Sequence, residues 1–311
     1  MDQKKRGLTS YGLKWIAIIT MFIDHAAAII YERYLYTKPD FSFGELSKDL
    51  YMYLGLRAIG RIAFPLYIFL MVQGFTHTRS KLKYALRLGA FALISEIPFN
   101  LGFQGTLTYL GYQNVFFTLL FGFLFMWAAD YVSNTTIKPF VGFFGLLLGS
   151  LLSGSYIMLL IESFRGFQFG TSPFKIEMLV ITLIVAAVLV VILILCNLKK
   201  DFNSLSRAGL IMLALSFFMW CGDLLSTDYG AMGVLAIAVA YFARNGKKKT
   251  LGLSLIPLVL SSTLEAFAVI DLIPIHFYNG EKGKGMKYFF YAFYPCHILI
   301  LFFIAKLLKL V

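Results

Sequence analysis

Apolar runs long enough to cross a bilayer recur along the whole chain, separated by short polar stretches. They fall near residues 12–31, 50–75, 82–102, 114–132, 139–161, 178–197, 208–222, 229–243, 251–270 and 288–306. A helix needs roughly 20 apolar residues to cross the hydrocarbon layer. The pattern therefore predicts an all-α, polytopic integral membrane bundle of about ten transmembrane helices. The runs at 208–222 and 229–243 are short, and a broken pair or a re-entrant hairpin fits them as well as two crossings. Pro65, Pro98, Pro257 and Pro295 lie within predicted helices, where each removes a backbone hydrogen bond and predicts a kink. The longest polar stretches, 32–49, 162–177 and 271–287, are too short for a soluble domain, so the chain reads as one transmembrane domain over 1–311. The first apolar run is too long for a signal-peptide core, and no small-x-small site follows it.

Composition agrees: of 311 residues 59% are hydrophobic and 14% charged, against roughly 25% charged in soluble domains. The net charge of +12 would suggest nucleic acid in a soluble protein, but its placement changes that reading. With the first residues inside and the spans alternating, the basic clusters at 4–6, 79–87, 199–207, 244–249 and 306–309, with Lys138, all fall on one side. That is the positive-inside pattern. It predicts cytoplasmic N- and C-termini, with 271–287 on the far side, and it excludes nucleic acid as a partner. Cys196, Cys221 and Cys296 form no CxxC pair, so neither a disulfide framework nor a metal site is expected.

Ionisable groups inside spans are costly and default to a functional reading. The first span carries Lys14, Asp24 and His25. Lys14 and His25 are eleven residues apart, which puts them on one helical face, about 16 Å apart along the axis. A cation at the membrane surface and a titratable base at depth suit a long donor with an anionic head, and coenzyme A has that form. Taken singly, a snorkelling lysine and a packed histidine explain each residue; the pair, with Asp24 beside it, favours function. Arg57 and Arg61 at i,i+4 face one way and need anions, for which Asp24 and Glu96 are the candidates. A buried structural network and a role in stabilising an oxyanion are both open for the two arginines. Asn100, Asn114, Asp228 and Tyr294 are candidate acceptor contacts, His297 a second mid-membrane histidine, and Arg79 and Lys81 candidate phosphate contacts beside Lys14. Asp24 points about 100° from His25, so Glu96 or His297 is the better candidate to orient it.

The strings LKWIAIITMFIDH, RAIGRIAFPLYIFLMVQGFTHTR, SEIPFNLGF, NVFFTLLFG, DYGAMGV and YNGEKGKGMKYFFYAFYPCH, spread in order from residue 13 to residue 297, closely resemble the TraX family of bacterial membrane proteins. The resemblance implies a multi-pass protein of the bacterial cytoplasmic membrane, surrounded by lipid, and N-terminal acetylation of pilin with acetyl-CoA as donor. The spacing of Lys14 and His25 is also similar to the R/K-x10-H motif of membrane acyltransferases that modify surface polysaccharides. Lysine in place of arginine weakens bidentate phosphate contact. The resemblance leaves the acceptor open between a pilin-like peptide and another surface molecule. A transporter or flippase is the alternative that intramembrane charges also suit, but no inverted repeat is visible in the sequence.

Overall fold

A computed structural model describes residues 6–45, 47–169, 176–197 and 202–311. Asp2, Lys4, Lys5, Lys199, Lys200 and Asp201 of the charge pattern, and the side chain of Cys196, lie outside the described residues. Helices are the regular structure of the described residues, with no strand among them. The helices are α1 (Ser10–Ala26), α2 (Glu32–Tyr36), α3 (Lys48–Gly60), α4 (Ala63–His77), α5 (Lys81–Gln104), α6 (Val115–Ser133), α7 (Pro139–Phe169), α8 (Ile176–Asn197), α9 (Phe202–Leu224), α10 (Gly230–Phe242), α11 (Lys247–Ser261), α12 (Leu272–His276) and α13 (Lys287–Leu307). A π-helical turn, Ala27–Tyr31, joins α1 to α2, and a 3-10 stretch, Thr263–Asp271, joins α11 to α12.

Six of the described segments are long and apolar enough to cross a membrane: Ser10–Tyr36, Lys48–His77, Val115–Ser133, Pro139–Ile157, Asn203–Leu224 and Lys287–Leu307. The expectation of about ten is corrected for separate reasons. α5 is long enough, but Lys81, Lys83, Arg87 and Glu96 lower its hydropathy. α10 has 13 residues, about 20 Å of helix, which falls short of a bilayer. α8 contributes only the apolar stretch Thr182–Val191 among the described side chains. The run 251–270 is not one helix at all, because α11 ends at Ser261 and the chain bends back.

The residues cluster in two compact units, Met1–Phe123 with Leu225–Val311, and Leu124–Leu224. In the second unit glycines on α7 let helices touch. A Cβ on Gly142, Gly145 or Gly149 would fall within 3.0 Å of Ser206, Leu210 or the backbone of Leu213 on α9, and one on Gly154 would meet the Thr182 carbonyl of α8. This is the small-residue packing that membrane helices use, and its spacing does not stand out in a sequence of 26 glycines.

In the first unit α1, α5 and α13 run parallel. Tyr11 and Trp15 pack on Phe290, and His25 meets His297 further along. Phe91 stacks on Tyr291, while a Cβ on Gly102 would strike Ile298. α4 runs the other way, with Phe69 beside Tyr278. Leu13, Ala17, Leu66, Phe69, Leu251, Ile275 and Tyr278 form a fully buried cluster at the Leu8 end. The amides of Ser10 and Tyr11 donate to the carbonyls of Glu281 and Lys282, which satisfies first-turn N–H groups of α1 that have no partner in their own helix. The stretch 277–287 therefore shares an end with Leu8, which corrects the expectation that it lies on the opposite side. Val311 instead lies near Gly105 and Arg33. Leu8 and Val311 thus lie toward opposite ends of α1.

The bend after α11 forms a re-entrant element. Lys247 Nζ donates to the Tyr278 carbonyl at 2.6 Å, so both ends of the segment 247–278 lie together. Its middle reaches Arg61 through Glu265.

Candidate functional site

α1 starts cleanly because Thr9 caps it, its hydroxyl accepting from the Gly12 amide. No proline or glycine interrupts it from Leu13 to Ala26, so it carries His25 to the depth of α13's second and third turns. There His25 Nδ1 lies 2.7 Å from His297 Nε2, with the rings nearly parallel. The Nδ1 of His297 lies 2.7 Å from the Phe293 carbonyl one turn back on α13. A carbonyl can only accept, so His297 carries its proton on Nδ1. With both rings neutral, His297 Nε2 is then an acceptor and His25 Nδ1 must donate to it. The lone pair left over is on His25 Nε2, which has no hydrogen-bond partner among the described residues. Second-partner control of a histidine tautomer is the usual way a base is aimed. His25 is 8% exposed and His297 2%. Phe103 and Tyr294 stand edge-on to the His25 ring, and Phe293 stacks on His297. The π-helical turn begins two residues after His25.

Asp24 faces another way, as its one-residue offset requires, and anchors an ion-pair network. Its carboxylate accepts from Arg57 at 2.8 Å and from Arg61 Nη2 at 3.0 and 3.1 Å, while Arg61 Nη1 donates to Glu265 at 2.9 Å. Arg57 also reaches the Asp24 carbonyl, the peptide group leading into His25. Gly60 is required here, since a Cβ would fall 2.2 Å from that of Asp24. The helix break at 61–62 suits Pro65, which takes its place in the first turn of α4, where its missing N–H is not needed. The expected kink at Pro65 is therefore a junction between α3 and α4. The second anion for the arginines is Glu265, not Glu96. An intramembrane carboxylate at 265 was a visible signal, but its place across from Arg61 depends on the bend after α11.

Glu96 instead receives a 2.6 Å bond from Asn114, whose amide also donates to the Ala92 carbonyl and whose oxygen accepts from the Phe116 amide. Asn114 thus opens α6 and ties it to α5, and neither it nor Glu96 bonds to His25. Asn100 is buried on the α5 face one turn on, its side-chain oxygen unpaired. Asp228 accepts from Tyr112 at 2.8 Å, and Thr118 donates to its carbonyl. Burial pushes the Asp228 carboxyl above the usual carboxylate range, against the hydrogen bond from Tyr112 and the charge of Arg61. Its neighbour Tyr229, in the left-handed region at φ 67°, stacks on Phe64 3.8 Å away. Tyr294 is buried, its ring edge-on to His25 and its hydroxyl unpaired. Lys14 sits over the Phe290 ring at the Leu8 end. Lys81, over the Phe75 ring, lies at that same end with Arg79, because α4 returns there. The structure therefore brings together His25, His297 and Tyr294, and next to them Asp24, Arg57 and Arg61. Glu96, Asn100, Asn114 and Asp228 belong to neighbouring polar clusters. The roles sequence reasoning missed are those of Glu265, Tyr112 and the Phe293 carbonyl. No group of three His, Cys, Asp or Glu side chains suited to a metal occurs among the described residues.

Among known proteins, a family model described as TraX protein matches residues 10–165 and 167–305. The chain is 25% identical over 313 aligned positions to the probable fimbrial assembly protein FimC, serogroup H1, of Dichelobacter nodosus, with 94% of each chain covered. No solved structure matches.

Proposed function

The chain belongs to the TraX family, and on that premise we propose that it is a membrane-embedded acetyltransferase of the bacterial cytoplasmic membrane, moving an acetyl group from acetyl-CoA to an amine or hydroxyl. The fimbrial-assembly relative favours a pilin-like peptide as acceptor over another surface molecule. The observation that carries the reading is the chain of 2.7 Å contacts from the Phe293 carbonyl through His297 to His25, which with both rings neutral leaves the His25 Nε2 lone pair free.

In this reading the acceptor's lone pair attacks the thioester carbonyl carbon as its proton passes to His25 Nε2. The carbon–sulfur bond then breaks, and the departing thiolate takes that proton from His25. One base serves both halves, and the atoms balance without a further reactant. General base catalysis of this kind contributes about 10²–10⁴ in rate. Arg57 retains N–H groups beyond those given to Asp24 and lies against the peptide before His25, which suits it to the oxyanion. Arg61, divided between Asp24 and Glu265, is better placed to hold Arg57 than to touch substrate. Tyr294, whose ring stands against His25, supplies a buried, unpaired hydroxyl for the acceptor.

The test is release of free coenzyme A from acetyl-CoA by the full chain in nanodiscs, in the presence of a peptide amine. Wild type turns over, and His25→Ala loses about 10²-fold or more while melting at the same temperature. A His25→Ala variant that keeps the wild-type rate overturns the reading.

A further inference from the structure

Residues 279–287, Asn-Gly-Glu-Lys-Gly-Lys-Gly-Met-Lys, lead directly into α13. Gly280 and Gly283 hold positive φ values of 85° and 70°. Gly283 lies so close to α1 that a Cβ would fall 2.5 Å from the Thr9 hydroxyl, so the loop is pinned against the start of that helix. Lys282 and Lys287 are thereby brought within electrostatic range of Lys14, and Lys287 within range of Arg87 on α5. Arg87 Nε is buried without a partner. None of these four cations forms an ion pair among the described residues, and Glu281 of the same loop is paired with none of them. The start of α13 has no side-chain cap at Met286, so its first N–H groups add their partial positive charge. A lysine in that first turn opposes the helix dipole. Four cations and an open helix start converge with no anionic partner among the described residues, an arrangement that a bound anion stabilises.

We propose that this loop anchors the phosphates of a nucleotide, the 3′-phosphorylated adenosine diphosphate end of a coenzyme A thioester, with Lys14, Lys282, Lys287 and Arg87 as the cations. The choice of nucleotide rests on the acetyltransferase reading; the phosphate chemistry does not. Tyr288, exposed beside the Lys287 ammonium, offers a ring face for the base. Lys14 lies on the α1 stripe that ends in His25, about 16 Å away, so a donor held here extends its thioester arm toward the histidine pair. A phospholipid headgroup carries the same phosphate chemistry, and the experiment separates the two sources.

The measurement is isothermal titration of adenosine 3′,5′-bisphosphate, which has no acyl group, into the full chain in phosphatidylcholine nanodiscs. The expected result is binding by wild type and by His25→Ala, weakened about tenfold or more in Lys282→Ala/Lys287→Ala. Both lysines are exposed, and an unchanged melting temperature shows the double variant to be folded. Equal binding by the double variant overturns the proposal. So does a wild type that ignores the bisphosphate while retaining phosphatidylglycerol in a lysine-dependent way, which assigns the loop to lipid. Bisphosphate binding in a protein that transfers no acetyl group leaves the anchor standing and removes the acetyltransferase. Turnover indifferent to both lysines does the reverse.

Discussion

His25 and His297 divide their work by which nitrogen each commits. His297 holds no substrate in this arrangement; it fixes the proton on His25 Nδ1. His297→Phe preserves the aromatic volume but removes the acceptor, so His25 can take either tautomer. The expected outcome is a fall in kcat of about tenfold to a hundredfold with the KM for acetyl-CoA unchanged; steady-state kinetics in nanodiscs checks it. Asp24 is a different case. Gly60→Ala puts a methyl group into its carboxylate and forces α3 away from α1, leaving two arginines short of their anion. A loss on the order of 3 kcal/mol is expected, read as a lower melting temperature in detergent. Asp228 is predicted to work against the fold at neutral pH. Its carboxyl is raised by burial, so its folded form favours the proton. The stability it contributes is whole below the unfolded pKa near 3.9 and is lost as pH rises through the folded value. Asp228→Asn should therefore raise the melting temperature at pH 7 by about 2–4 °C, the shift that ~1 kcal/mol makes in a chain of this size, with the gain shrinking toward pH 4. A constant gain across that range sinks the explanation.

The helices show which parts of the pattern translate directly and which do not. α1 was legible as a span, because an unbroken apolar stripe and the eleven-residue spacing of Lys14 and His25 are local; the Thr9 cap came only with the structure. α11 with the 3-10 stretch was not. Its apolar run has the length of a crossing, but Glu265 pairs with Arg61, and Lys247 is tied to Tyr278, so the segment enters and leaves at one end. That predicts the labelling of single cysteines placed at Lys248 and Gly280 in a chain freed of Cys196, Cys221 and Cys296. Both should react with an impermeant maleimide from the same side of sealed vesicles. Reaction from opposite sides would restore a full crossing at 251–270.

Across the whole molecule, hydrophobic length, the concentration of lysine and arginine and the presence of charge within spans could be read without tertiary information. Each is a property of a stretch of chain, and a bilayer imposes the same demand on every such stretch. Thus the all-helical membrane class, the basic face around Lys14, Arg79 and Lys81, and the choice of Asp24, His25, Arg57 and Arg61 as candidates came from the sequence itself. Helical spacing also fixed directions, which is why Asp24 was set aside as the partner of His25 and Glu96 or His297 preferred. What only the tertiary structure decided was pairing between segments far apart in the chain. It chose Glu265 over Glu96 for Arg61, gave Asn114 to Glu96 and Tyr112 to Asp228, and set 277–287 beside Leu8. Periodicity orients a side chain about its own helix axis, but the neighbour it meets depends on how helices cross and where the chain turns back.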